Sequence, residues 1–284
     1  MDGSALHPAI LVPFGAAVGF VGTLVGVGGG FFMVPYFSFV GGFTHLRAVG
    51  TSLGAIVLNA ASGSARWALQ RRIDWMLGIG FALATLPGTW LGREAGLRID
   101  RSAFQIGFAV VVAAAAASIL LVPPPDGSAS RLAWFRRGLR RDFVDAFGTR
   151  HTYEVNFAFG LAVSLVVGFL AALFGVGGGF LHVPVMVVLY GMPVHVAVAT
   201  SQLALAVTAA GGAAGYALLT PPEVDWRTVL YVGGGAAVGA QAGAFAAPRI
   251  AAAGLKRILA VVLFGVAAAM AADGAGWVNL HAGR

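Results

Sequence analysis

Long apolar blocks separated by short polar ones make up most of this chain. Residues 104–122, 155–174 and 255–272 each form a run of about 18 to 20 residues that is almost free of charge. That length lets a helix cross a hydrocarbon core of roughly 30 Å. The alternating ~10-residue segments typical of a transmembrane β-barrel are absent from the sequence. The pattern therefore predicts an all-α polytopic membrane protein.

Composition strengthens that prediction. Hydrophobic residues make up 58% of the 284 positions and charged residues 10%, whereas about a quarter of an ordinary soluble domain is charged. No basic residue precedes the first apolar block, so no cleavable signal peptide is expected. The sequence has no cysteine, which excludes disulfides, thiol catalysis and thiolate metal sites. Neither a metal nor a cofactor is expected.

The chain repeats itself once. A shift of 149 residues aligns 19–52 with 168–201 without a gap, and sixteen of the 34 aligned pairs are identical. The identical pairs include Gly-Val-Gly-Gly-Gly-Phe, which begins at Gly26 and Gly175, and the Thr-Ser pair that follows each run. The sequence therefore predicts two membrane repeats, residues 9–122 and 154–272, joined by a Pro- and Arg-rich extramembrane segment at 123–153.

Both repeats show the same predicted order of elements. An apolar segment leads into the glycine run, a short apolar segment of 11 or 12 residues follows, and three full spans complete the repeat. The short segment would be about 18 Å long, too short to cross alone, so a half-helix or re-entrant element is expected. The predicted spans are 48–69, 75–93 and 103–122 in the first repeat, and 197–219, 227–247 and 255–272 in the second.

Loop charge predicts that the two repeats have inverted topology. Arginines concentrate at 131–150 and 66–72, whereas the matching loop at 223–227 holds one basic and two acidic residues. Because cytoplasmic loops carry the excess of basic residues, the two arginine-rich loops are expected inside and both termini outside. The loop at 93–101 is discordant. A net charge of +7 could also indicate nucleic acid or anionic lipid, but topology-setting arginines explain it, and no nucleic-acid partner is expected.

The two glycine runs are the main candidates for a binding site. Irregular backbone at membrane depth must be buried in protein or line a cavity, and glycine permits tight turns and close approach. The following half-helix begins with unpaired N–H groups at its positive dipole end, which favour an anion. The alternative is close helix packing, which suits Gly15 and Gly19 better than adjacent glycines. The candidate substrate-binding residues here are Gly28, Gly29, Gly30, Phe31, Gly177, Gly178, Gly179 and Phe180.

Neutral polar side chains follow each glycine run and could help to bind an anion without burying a charge. Hydroxyls in membrane helices also bond to their own backbone, and amides can join helices, so both explanations stay open. The repeats differ at Leu53/Gln202 and Asn59/Thr208, which would make the two halves of a site chemically different. The candidates are Thr51, Ser52, Asn59, Thr200, Ser201 and Gln202.

One histidine lies inside an apolar segment. His182 stands where the first repeat has Met33, and it could couple protons or be a neutral histidine of the core. Tryptophans near segment ends, among them Trp67 and Trp75, predict an interfacial belt.

The duplicated motif resembles the TauE/SafE family of sulfite exporters, also called the 4-toluene sulfonate uptake permease family. The resemblance rests on Gly-Val-Gly-Gly-Gly-Phe-x-x-Val-Pro at 26–35 and 175–184, and on Ala-x-x-Thr-Ser ending at 52 and 201. It covers about residues 13–272. It implies an integral transporter of the bacterial inner membrane for sulfite, thiosulfate or organosulfonates, without fixing the substrate or the direction.

These observations predict a secondary transporter with alternating access, most simply an exporter, that could form homo-oligomers in the bilayer. An anion channel and a proton-coupled uptake permease for a sulfonate or a small carboxylate are the alternatives. An enzyme is not expected, because the spans offer one histidine and no paired acids at catalytic spacing.

Overall fold

The computed structural model describes residues 6–121, 138–247 and 252–276, and this part of the chain is mostly helical. Each half has five helices in the same order, and a β-hairpin separates the halves. The elements are α1 (Pro8–Val25), α2 (Gly30–Pro35), α3 (His45–Leu69), α4 (Trp75–Arg98), α5 (Arg101–Leu121), β1 (Leu139–Val144), β2 (Arg150–Val155), α6 (Phe157–Phe174), α7 (Gly179–Pro184), α8 (Val194–Ala217), α9 (Trp226–Ala246) and α10 (Ala252–Gly274).

The short helices α2 and α7 each continue into a π-helical turn, Tyr36–Val40 and Val185–Leu189. Together, helix and turn span 11 residues in each half, which is the length predicted for the short apolar segment. The π-turn begins directly after Pro35 or Pro184. Proline has no backbone N–H and clashes with the preceding turn of a regular helix, which explains why the winding changes there.

Side-chain caps fix the start of several long helices. The Asp74 carboxylate accepts from the backbone N–H of Leu77 at the start of α4, and Asp225 accepts from Thr228 at the start of α9. An aspartate at this position satisfies one of the otherwise unpaired first N–H groups. The two caps occupy matching places in the two repeats, and the aspartate therefore marks the same helix start twice.

Glycines bring helices from different halves into direct backbone contact. A Cβ on Gly15 would lie 2.1 Å from the Val232 carbonyl oxygen of α9, and one on Gly88 would lie 2.0 Å from the Leu165 oxygen of α6. Gly19 and Gly92, four residues later, make the equivalent contacts with Ala236 and Phe169. Small residues spaced by four allow such close packing in membranes. Helix α1 thus runs parallel to α9, and α4 runs parallel to α6.

The corresponding helices α3 and α8 cross at the centre in opposite directions. Gly50, early in α3, packs on Tyr216 near the end of α8, whereas Gly63, late in α3, packs on Gln202 near the start of α8. The last pair is also antiparallel, since Ser102 at the start of α5 bonds to Gly274 at the end of α10.

Two faces of the bundle can be distinguished by their ion pairs. Arg72 in the α3–α4 loop binds Asp145 of the hairpin turn, and Arg141 of β1 binds Asp74. We call this the hairpin face. On the opposite face, Arg47 at the start of α3 binds Asp225 before α9. We call it the termini face, because α1 begins and α10 ends there.

The hairpin is the element that the all-α prediction lacked. Strands β1 and β2 pair antiparallel from Leu139↔Val155 to Val144↔Arg150. The hairpin lies in the segment 123–153, which was expected to be an extramembrane loop, and extends two residues beyond it. Residues 123–137 of that segment lie outside the described ranges. Alternation of side chains along β2 buries Tyr153 and Val155 against the helices.

Six described helices, α1, α3, α4, α6, α8 and α9, are long and apolar enough to cross a membrane. Large apolar side chains such as Leu83, Leu230 and Val238 are exposed on the outside of the bundle, as lipid contact requires. Trp75, Trp90 and Trp226 are also exposed. The prediction that Trp67 belongs to an interfacial belt was wrong. Its side chain is fully buried and packs on His195, because α3 lies at the centre of the bundle.

Candidate functional site

The first glycine run turns the chain sharply between α1 and α2. Gly26, Gly28 and Gly29 have φ angles of +78°, +86° and +88°, a left-handed conformation that residues with a Cβ rarely adopt. The carbonyl of Gly22 accepts hydrogen bonds from the backbone N–H groups of Val27 and Gly28, which satisfies part of the open end of α1. The run is therefore a defined turn and not a loosened helix.

The second run forms a related but different turn. Gly175 and Gly177 have φ angles of +67° and +74°, as their counterparts in the first run do. Gly178, in contrast, has a φ of −85° where Gly29 has +88°. The breaks are thus similar in place and unequal in detail.

The two breaks pack directly on each other. A Cβ on Gly30 would lie 2.3 Å from the Gly175 carbonyl oxygen, and a Cβ on Gly179 would lie 1.8 Å from the Gly26 oxygen. Gly26 corresponds to Gly175 and Gly30 to Gly179 in the repeat. Each contact is therefore the counterpart of the other when the two repeats are exchanged. Close packing, the alternative explanation for the glycines, therefore applies at Gly30 and Gly179. Positive φ angles account for the remaining glycines of the two runs except Gly178, where a Cβ would lie 2.4 Å from a Val167 methyl carbon.

Two apolar side chains fill the space between the breaks. A Cβ on Gly28 or Gly177 would lie 2.6 or 2.5 Å from a Leu205 methyl carbon, and Ile56 lies next to both glycines. Ile56 and Leu205 occupy equivalent positions of the two repeats and are fully buried. The centre of the structure is therefore closed by hydrocarbon.

The predicted hydroxyls have defined partners. Thr200 accepts a bond of 3.0 Å from the backbone N–H of Asp74, and Thr51 accepts one of 3.0 Å from Asp225. Ser52 donates to the Gly175 carbonyl oxygen at 2.8 Å. The Ser201 hydroxyl is buried and unpartnered among the described residues. Three hydroxyls thus hold the two repeats together, and one is open to a further partner.

The two predicted amides meet at the first break. Asn59 donates to the Gly28 carbonyl oxygen at 3.1 Å, and Gln202 donates to the Thr23 hydroxyl at 3.3 Å. Thr23 in turn donates to the Asn59 side-chain oxygen at 3.3 Å. All three side chains are fully buried. The sequence prediction did not include Thr23, although its counterpart in the other repeat is the apolar Ala172.

Of the remaining predicted residues, Phe31 is fully buried in the core and Phe180 lies in α7, with its side chain outside the description. The His182 ring is buried, stacks on Phe81 and lies 3.0 Å from the Ser164 hydroxyl. Ser164 itself donates to the Gly160 carbonyl oxygen, so the ring nitrogen Nε2 is the donor to the serine. The other ring nitrogen, Nδ1, is unpartnered among the described residues.

A polar pocket of about 270 Å³ opens on the termini face. It lies between the end of the first π-turn and the starts of α3 and α5. Its lining includes Arg101, His45 and Ser38. The Arg101 guanidinium also binds the Asp273 carboxylate, and the His45 Nε2 and Ser38 hydroxyl atoms are themselves buried, without a partner among the described residues. The sequence analysis did not identify these residues, because they are far apart in the chain.

A charged network on the hairpin face was also missed. The Asp74 carboxylate accepts two bonds from Arg141, at 2.8 and 2.9 Å, and one of 2.7 Å from the Tyr153 hydroxyl. These bonds attach the hairpin to Asp74, the cap residue of α4. The backbone N–H of Asp74 in turn donates to Thr200. The alternation of polar and apolar residues at 152–155, Thr-Tyr-Glu-Val, was the available signal.

Comparisons with known proteins agree on one class. The family description "Sulfite exporter TauE/SafE" matches residues 11–270. The "Probable membrane transporter protein YunE" of Bacillus subtilis (strain 168) is 31% identical over 83% of this chain and 86% of its own length. A "Probable membrane transporter protein" of Xylella fastidiosa (strain 9a5c) is 27% identical over 91% and 92%. No solved structure gives a significant match. Together with the helices long enough to span a bilayer, the match shows that the chain is a multi-pass membrane protein of the TauE/SafE family of membrane transporters.

Proposed function

We propose that this protein is a secondary transporter that exports small sulfur-containing anions, such as sulfite, thiosulfate or organosulfonates, by alternating access. The observation that carries the proposal is the direct contact of the two glycine breaks at the centre of the bundle. Broken helices that meet where two repeats join are the usual substrate site of such transporters. Membership of the TauE/SafE family supplies the class of substrate.

Inverted topology of the repeats 9–122 and 154–272 is part of the proposal. The antiparallel crossing of α3 and α8 supports it, as does the exchange symmetry of the bonds from Asp74 to Thr200 and from Asp225 to Thr51. Repeats related in this way can rock against each other and open one side at a time. The arginine-rich hairpin face would lie in the cytoplasm of a bacterial cell, with both termini outside.

Substrate would bind where the breaks meet. The backbone N–H groups of residues 29–30 and 177–179 lie next to the positive ends of α2 and α7, which favour an anion, whereas the N–H of Gly28 bonds to the Gly22 carbonyl in this conformation. The unpartnered hydroxyl of Ser201 supports a direct contact with substrate. Because Ile56 and Leu205 fill this space in the present conformation, the repeats would have to move apart before an anion could enter.

The polar pocket on the termini face would be the way in or out. Its half-exposed Arg101 could attract an anion in competition with Asp273, and the pocket begins at Ser38, near the end of the half-helix that starts at the first break. An anion bound there would lie between the solvent and the central site. The pocket thus supports access from the termini face.

The membrane potential supports export. Outward movement of an anion is favoured by about 2.3 kcal/mol per charge for each 100 mV of inside-negative potential. Uptake would need a coupling ion. A channel is the second candidate, but the hydrocarbon contact at Ile56 and Leu205 argues for a closed centre that opens only when the repeats move.

Flux into and out of proteoliposomes tests the proposal. The panel would contain sulfite, thiosulfate, sulfate, an organosulfonate and a small carboxylate, each with and without an imposed potential. Saturable movement of a sulfur anion, accelerated by exchange with unlabelled substrate inside, is the expected result. Preference for the carboxylate would reject the substrate class, and non-saturable flux without exchange would indicate a channel.

A further inference from the structure

Three positions at which the repeats differ come together at the first glycine break. Thr23, Asn59 and Gln202 bond to one another in a chain, and we call them the oxygen triad. Their equivalents in the other repeat are Ala172, Thr208 and Leu53.

The side chains at the third position occupy matching places in the two halves. The Gln202 amide packs on Gly63, and Leu53 packs on Gly212, the glycine that corresponds to Gly63. The chain has therefore placed a polar group in one half where the other half is apolar.

The direction of the hydrogen bonds fixes the orientation of each group. The Gly28 carbonyl can only accept, so the Asn59 nitrogen faces it and the Asn59 oxygen faces Thr23. Thr23 donates its one proton to that oxygen, so its own oxygen accepts from the nitrogen of Gln202. If the Gln202 amide were turned over, two acceptors would face each other.

This orientation leaves an acceptor without a donor. The Gln202 Oε1 atom is buried and has no partner in the part of the chain that the structure describes. A buried amide oxygen of this kind is costly unless a donor or a cation reaches it. An anion cannot fill that role, because the open group is an oxygen.

The hydrogen bond within the triad is long enough that a cation could take the place of its proton. The Thr23 and Asn59 side-chain oxygens lie 3.3 Å apart, beyond the ordinary O–H···O range of about 2.5–3.0 Å. Two ligands at adjacent corners of an octahedron, each about 2.4 Å from a hard cation, lie about 3.4 Å apart. Thr23 also belongs to the last turn of α1, whose negative dipole end favours a cation.

We propose that a monovalent cation of the sodium type binds at the oxygen triad, through the side-chain oxygens of Thr23 and Asn59 and through Gln202 Oε1 once the ion turns that amide over. A site made of neutral oxygens suits a singly charged ion, because no carboxylate is needed to balance it. The cation would lie beside the Gly28 carbonyl and would stabilise the first break. Binding of the cation does not rest on the proposed function, because export of an anion needs no coupling ion; a role of the cation in driving transport would instead favour uptake.

Thermal unfolding of the purified protein in detergent tests binding without substrate. NaCl would be compared with choline chloride and KCl at equal ionic strength. Sodium should raise Tm by roughly 3 °C for each tenfold increase above its dissociation constant. Gln202→Leu, which installs the residue of the other repeat, should abolish the shift, and Thr208→Val, at the position equivalent to Asn59, should keep it.

Asn59→Asp tests whether the ligand of the triad is positively or negatively charged. This variant remains informative if Gln202→Leu does not fold. An added negative charge should lower the dissociation constant for sodium by about tenfold or more. If the triad instead contacts the anionic substrate, the added negative charge should weaken substrate binding. No difference between sodium and choline in the wild-type protein, or a sodium shift retained by Gln202→Leu, would overturn the proposal. A sodium shift without any flux would instead reject the transport function and keep the cation site.

Discussion

The backbone N–H of Asp74 donates a hydrogen bond of 3.0 Å to the hydroxyl of Thr200, and Asp225 donates an equal bond to Thr51. Each threonine thereby holds the cap of a helix that belongs to the other repeat. Both threonines are among the substrate ligands that the sequence predicts. Their geometry favours a role in joining the repeats.

Thr200→Val should therefore lower stability more than substrate affinity. The substitution leaves the buried N–H of Asp74 unpaired, which costs about 1–3 kcal/mol. Thermal unfolding in detergent would measure the loss, and flux would measure KM. Thr200→Ser, which keeps the hydroxyl, is the matched control. An unchanged Tm with a large rise in KM would instead identify Thr200 as a ligand.

Gly179→Ala should prevent correct assembly of the two breaks. Its Cβ would lie 1.8 Å from the Gly26 carbonyl oxygen, and backbone on both sides leaves little room to move. Gly234→Ala is the control, because a Cβ there would meet nothing within 4 Å. The control should be neutral or stabilising by up to about 1 kcal/mol. Similar yields of folded protein for the two variants, measured by size-exclusion chromatography, would contradict the packing of the breaks.

Asp145 makes the hairpin sensitive to acid. Burial raises the pKa of its carboxyl, but bonds from the backbone N–H groups of Thr149 and Phe147 and from the side chains of His151 and Arg72 outweigh burial and lower the pKa from 3.8 to about 2. Because the folded-state pKa is depressed, the contribution to stability is complete above about pH 4 and is lost as the pH falls towards 2.

Asp145→Asn should remove about 2 kcal/mol at neutral pH and flatten the pH dependence of unfolding between about pH 4 and 2. Limited proteolysis of the hairpin would measure its attachment separately from the bundle. A variant that keeps the wild-type acid profile would show that another carboxylate dominates it.

Arg101→Gln should weaken entry of the anion through the termini-face pocket. The substitution removes one positive charge and leaves its partner Asp273 without this ion pair. It is therefore expected to raise KM roughly two- to fivefold at low ionic strength, with a smaller effect at high salt. Arg227→Gln is the control, because Arg227 also lies at the termini face and is outside the lining of the pocket. Equal effects of the two variants would point to general surface charge.

His182→Met replaces the histidine by the residue of the first repeat. Its ring is fixed by contacts with Ser164 and Phe81. The ring occupies the position in the second repeat that corresponds to the buried Met33 of the first. We expect the pH dependence of flux to stay unchanged while Tm falls modestly. Loss of a component driven by a pH gradient would instead assign proton coupling to His182 and support an uptake permease.

The sequence alone determined the membrane class, the duplication and the position of both glycine breaks. Apolar runs of membrane-spanning length and a motif repeated at a fixed distance are local properties, so they can be read without coordinates. The same is true of the aspartate caps, although their importance was not recognised. Helix starts such as His45 and Val194 lie three residues before the predicted spans, because each first turn contains a polar residue, Arg47 or His195, that interrupts the apolar run.

Only the tertiary structure decided which groups meet. It placed Thr51 and Thr200 on helix caps, gathered Thr23, Asn59 and Gln202 at one break, and closed the centre with Ile56 and Leu205. These contacts join residues separated by 123 to 179 positions in most cases. They depend on how helices cross, which is set by the packing of whole faces and not by any short stretch of the chain.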